Sequence, residues 1–180
     1  MLVDEFAETK ISPISKQDYR EWAPVRLADP RHATTAQFIF GMEQIVAAEG
    51  PVLADRVFHL YAKAGGVGRI YEATRKRFLA GLRQAVKDGA LLAEPEASED
   101  PGSWVLRLPT QDRVSVRDLG SRTLHEIPAA EIAEIILEIR IRDELISREQ
   151  LFRDVLAEYG LIRLTEATTE RLDYVLKTWF

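Results

Sequence analysis

The chain contains no cysteine and only three histidines, His32, His59 and His125. The first absence excludes disulfides, thiolate zinc sites, iron–sulfur clusters and a cysteine nucleophile. The scarcity of histidine leaves little material for general acid–base or metal chemistry, so neither a cofactor nor a bound metal is expected. Lack of cysteine also fits a cytoplasmic address. No apolar run reaches the ~18 residues that a membrane span needs. Residues 1–15, MLVDEFAETKISPIS, carry early acids and no long apolar stretch, which argues against a signal peptide. Positive charge is in deficit, with 24 Lys and Arg against 29 Asp and Glu and a net charge of −5. That balance argues against bulk attraction to nucleic acid but leaves room for a local basic patch. What is present is ordinary for a soluble globular protein: 180 residues, 46% hydrophobic and 29% charged, enough for one domain or two small ones.

Residues 1–33 read as an arm. Pro13, Pro24 and Pro30 interrupt any long helix, and Tyr19 and Trp22 are large anchors for docking on the body or on a partner. From Thr34 onward, Phe38, Ile39, Met42, Ile45 and Val46 recur at helical spacing until Gly50-Pro51. A second helix carries Val57, Phe58, Tyr61 and Ala64 on one face. The turn Ala64-Gly65-Gly66-Val67-Gly68 leads to a third, from about Arg69 to Asp88, with Gly89 as its stop. Leu91-Leu92 and Trp104–Leu108 enclose a turn-rich acidic loop, the pattern of a β-hairpin. Three helices followed by a hairpin is the order of a winged helix-turn-helix. Residues 109–126 connect to the second half, with a short strand expected at Val114-Ser115-Val116. Pro128 then opens a helix bearing Ile132, Ile135, Ile136 and Ile139. Ser147 caps the next, with Leu151, Phe152, Val155 and Leu156 as its core face. Thr165 opens the last.

The halves repeat without a gap at an offset of 94 residues, so that 38–82 falls on 132–176. Nine of the 45 positions are identical: Ile45, Phe58, Gly66, Arg69, Glu72, Ala73, Thr74, Arg77 and Leu82 match Ile139, Phe152, Gly160, Arg163, Glu166, Ala167, Thr168, Arg171 and Leu176. The expected fold class is therefore mainly α, with tandem winged helix-turn-helix repeats and a small β-hairpin wing in the first. The expected parts are an arm (1–33), a first module (34–108), a connector (109–126) and a second module (127–180) that is wingless or cut short at Phe180.

The segments EIPAAEIAEIILEI and LAEYGLIRLTEATTERLDYVL resemble a domain family of unknown function. That family lies at the C-terminal end of large bacterial superfamily I helicase-like proteins carrying a Vsr-like endonuclease domain. EGPVLADRVFHLYAKAGG is similar to the module preceding it there, and YREWAP and ADPR resemble the linker entering that module. Where such modules commonly carry Gly-x-Arg-Ile, this chain reads Tyr71-Glu72-Ala73-Thr74 and Thr165-Glu166-Ala167-Thr168. The resemblance transfers no catalytic residue. It implies an accessory module of a DNA-processing machine, working with a helicase or nuclease in the same chain or another.

The third helix of the first module is the most informative segment. Between residues 69 and 88, six cations face two acids, a surplus of four. On a helical wheel Phe78, Leu82, Tyr71 and Ala85 share the core side, while Arg69, Lys76, Arg83 and Lys87 fall opposite with Ala73 and Ala80 between them. A basic stripe spaced by small residues admits close approach to a phosphate-lined groove; a solvated helix face has the same pattern. Against a standard mode stand Glu94, Glu96, Glu99 and Asp100, which would repel phosphate from the wing. The second module's stripe, Arg163, Glu170 and Lys177, belongs to a segment of zero net charge. Arg77 and Arg171 are either phosphate clamps or arginines bonded to a carboxylate or loop carbonyl. Gly65–Gly68 lacks a Walker lysine and a preceding strand. Asp55 and His59 lack a third ligand. Glu131, Glu134 and Glu138 form an acidic face, solvated or turned to a basic partner.

The expected function is a non-catalytic, non-sequence-specific module for double-stranded DNA, with Arg69, Lys76, Arg83 and Lys87 as its contact residues. The alternative is a protein-interaction or dimerisation module without DNA affinity, its partner including a second copy of the chain.

Overall fold

The computed structural model describes residues 14–180, which are mainly helical with one small antiparallel sheet. The first thirteen residues of the expected arm lie outside the described residues. Helix α1 (Thr35–Glu49) begins with a capping box in which Thr34 and Gln37 satisfy each other's backbone amides. A two-residue strand, β1 (Val52–Leu53), precedes α2 (Ala54–Ala64). It is too short for alternation to mark it in the sequence. Helix α3 (Glu72–Lys87) is followed by β2 (Leu92–Glu94) and β3 (Val105–Arg107). Strand β3 is central in the order β1-β3-β2, and Leu106, fully buried, lies between Val52 and Ala93. Residues 114–116 form no strand. Instead Gln17 donates its amide to the Val116 carbonyl and accepts one from Asp118, pairing arm with connector.

The second half carries α4 (Ala129–Arg142), α5 (Arg148–Glu158) and α6 (Glu166–Trp179). Moved by 94 residues, the bounds of α2 become those of α5, and α3 and α6 start at matching positions. Both turns between these helices close on a left-handed glycine, Gly66 at φ 80° and Gly160 at φ 69°. Each places the same bond, Val67 N–H to Ala62 in one and Leu161 N–H to Leu156 in the other, both 2.8 Å. The offset therefore holds in backbone geometry as well as in residue identity.

Each half has its own core. Phe38, Phe58, Tyr61 and Phe78 pack in stacked and edge-to-face pairs at centroid separations of 4.9–5.3 Å in the first. Gly81 lets α1 and α3 approach closely there, since a Cβ would meet that of Phe38 at 2.9 Å. The second gathers Ile132, Ile135, Ile136, Phe152, Val155 and Leu172. The described part of the arm supplies both: Trp22 joins the first core and Ile14 the second. Lys16 also reaches Glu158 at the end of α5, at 2.7 Å. No described helix is long and apolar enough to cross a membrane.

Between the cores lies a cluster of buried charge. Glu131, 1% exposed, accepts from Arg122 through both oxygens at 3.0 Å and from Arg117 at 2.9 Å. Arg117 also donates to the carbonyls of Glu49 and Pro51, both at 2.7 Å, at the end of α1. Glu49 accepts from Arg56, from the Trp22 amide and from the Tyr19 hydroxyl. Arg56 continues to Glu126 and Ser121 in the connector. The Tyr19 ring sits among all three guanidiniums, with Arg122 closest at 4.1 Å from its centroid. Burial and then Glu49 hold the Tyr19 phenol well above its ordinary pKa, so it stays a proton donor. Burial works against the charge of Arg56, and the bonds to Glu49 and Glu126 together with the charges around it raise its pKa all the same. The acidic face expected from Glu131, Glu134 and Glu138 is thus divided: Glu134 and Glu138 are exposed, whereas Glu131 points into the junction because it shares the phase of Ile132 and Ile135.

Replacing Glu131 by Ala leaves two buried guanidiniums without their carboxylate. It should cost about 3–5 kcal/mol in urea denaturation, whereas Glu134→Ala should stay within about 0.5 kcal/mol of wild type.

Candidate nucleic-acid interface

Helix α3 buries Thr74, Phe78, Gly81, Leu82 and Ala85, which fixes the opposite face. Lys76, Arg83 and Lys87 are exposed there, with Ala73 and Ala80 exposed between them. Lys76 makes an i,i+4 pair with Glu72 at 2.8 Å, both side chains largely in solvent. Arg83 and Lys87 have no ion-pair partner among the described residues. Arg69 is exposed too, but it lies in the turn before the helix and stacks on the Tyr71 ring at 5.2 Å. Tyr71 corrects the wheel. It is 64% exposed, because the helix starts at Glu72 and Tyr71 is an extended N-cap residue to which helical phase does not apply.

Two further cations of this segment have structural duties. Arg75 bridges Asp55 on α2 and Asp100 in the loop between β2 and β3, at 2.6 and 2.9 Å. Burial opposes its charge, but the bond to Asp55, with the charges of Asp55 and Asp100, raises its pKa regardless. Arg77 donates to the carbonyls of Pro30 and Ala33. Its counterpart Arg171 donates to the carbonyl of Ile127, the residue 94 positions after Ala33, and to Glu96 at 2.7 Å. Both arginines therefore tie their helix to the chain entering their own half.

The acidic loop is not a free appendage. Glu94 is held by Arg113 at 2.8 Å and more loosely by Arg107 at 3.5 Å. Glu96 turns away to the second half, where it accepts the Ala129 amide at the start of α4 and the Arg171 guanidinium. Tyr174 donates to the Glu96 carbonyl. With Asp100 on Arg75, three of the four carboxylates are matched by cations of the chain, and Glu99 remains exposed. In the second half Arg163, Glu170 and Lys177 are all exposed. The Asp55 carboxylate belongs to Arg75 and the His59 ring faces the Asp55 carbonyl. Among the described residues no three acidic or histidine side chains converge as a metal cage would require.

No family model, curated protein or solved structure matches the chain.

The stripe and the paired arginines should separate in stability measurements. Lys76→Ala and Arg83→Ala should each shift stability by no more than about 0.5 kcal/mol. Arg171→Ala strands Glu96, 7% exposed at its side chain, and should cost about 3 kcal/mol in thermal or urea denaturation.

Proposed function

We propose that the chain is a non-catalytic DNA-binding module of two tandem winged-helix units, with a wing in the first. The order α1-β1-α2-α3-β2-β3 supports the winged reading of the first unit. The observation that carries the function is the row of exposed cations Arg69, Lys76, Arg83 and Lys87, whose only carboxylate partner among the described residues is the solvent-exposed Glu72. Phosphates exchange readily with such a partner, since exposed pairs contribute little. The inward turn of the acidic loop supports the same reading, because most of its charge is compensated before any duplex approaches. The row offers cations and small residues, so it suits the backbone of double-stranded DNA without a sequence preference. Work beside a helicase or nuclease rests on the resemblance in the sequence, and a cytoplasmic place on the lack of cysteine.

A second reading, as a protein-interaction or homodimer module, is favoured by Leu137, Ile141 and Leu145, exposed at 43%, 70% and 92% along and just beyond α4.

A salt titration of duplex binding separates the two. Each phosphate contact contributes about −0.9 to the slope of log affinity against log salt. Lys76→Ala with Arg83→Ala should flatten the slope by about two, while Arg163→Ala with Lys177→Ala should do much less. Wild-type protein without affinity at low salt would overturn the DNA reading.

A further inference from the structure

A cavity of about 140 Å³ lies where the two halves meet. Its apolar walls come from both: Pro51 and Val105 at the sheet, Pro128 before α4, and Trp179 at the end of α6. Arg107 and Arg113 also line it, and they share one carboxylate, Glu94. The other two carboxylates of the lining are already matched, Glu96 by Arg171 and Glu131 by Arg117 and Arg122. The cavity therefore carries a surplus positive charge beside an apolar interior. Arg113 is 73% exposed at its side chain and bonds Glu94 only through Nε, so among the described residues its two terminal nitrogens have no partner.

We propose that this cavity binds a small monocarboxylate whose apolar body is about one ring in size. The scale follows from the volume, since a cavity of about 150 Å³ accommodates benzene. The carboxylate meets the terminal nitrogens of Arg113, and the ring lies against Trp179 and the proline walls. Sites of this kind pair an apolar enclosure with a few polar groups that fix orientation. Because its walls come from both halves, the ligand binds only while the halves are docked. The proposal does not depend on DNA binding.

The test uses the full chain, with benzoate and benzyl alcohol as probes, followed through its three tryptophan indole N–H signals by NMR. Benzoate should move the Trp179 signal and leave that of Trp22, which is buried in the first core, in place. It should bind about threefold to fivefold more tightly than benzyl alcohol, the contribution expected of a well-formed ion pair at an exposed cation. Arg113→Gln, a change at an exposed side chain, should erase that difference, and Trp179→Ala should weaken both probes. Equal binding of the two probes, undiminished benzoate binding by Arg113→Gln, or a still Trp179 signal up to about 10 mM benzoate, far above a millimolar Kd, would each overturn the proposal.

Discussion

Two guanidiniums closing on one buried carboxylate set how the halves of this protein sit together. Arg117 and Arg122 both come from the connector, Glu131 from the first turn of α4, and Arg117 extends to the carbonyls that end α1. Moving such charges out of water is costly, and only close, multiply bonded geometry offsets it. A shift of one half against the other would stretch several of these bonds at once. The cluster thus favours one orientation strongly even where its net contribution to stability is small. Arg56 and Glu49 extend the same constraint to the base of α2, and the Tyr19 ring fills the space among the cations.

The loop between β2 and β3 serves both halves. In the first half its Asp100 secures α3 through Arg75, while its Glu96 caps α4 and anchors Arg171 in the second. The same hairpin thus packs on both halves. Arg77 and Arg171 each bond the carbonyl at the equivalent entry position, and Arg171 also bonds a carboxylate from the other half.

Most of the helical architecture was legible because apolar residues recurred at helical spacing and capping residues stood at the starts, as with Thr34, Ser147 and Thr165. The exposed positions Lys76, Arg83 and Lys87 were legible for the same reason, being opposite Phe78 and Leu82. Tyr71 was misplaced because a wheel assumes helix where the chain is still extended. Strand β1 was missed because two residues carry no period. The junction was missed although a signal existed. Glu49 continues the phase of Met42, Ile45 and Val46, and Glu131 shares that of Ile135 and Ile139, so each acid falls on a buried face. An acid in apolar phase calls for a buried cation, but the partners Arg117 and Arg122 lie in an irregular segment with no period to reveal them.

The arm has a consequence for synthesis. Lys16 emerges from the ribosome 142 residues before its partner Glu158, and Tyr19 long before Arg117 and Arg122. At 5–20 residues per second that interval is roughly 7–30 s. Through this time the first core can assemble on Trp22 and Tyr19 can reach Glu49, but the segment from Ile14 to Gln17 has nowhere to settle. The earliest part of the described chain is among the last to find its place, and closes the fold over a junction that exists only once nearly all the rest has been made.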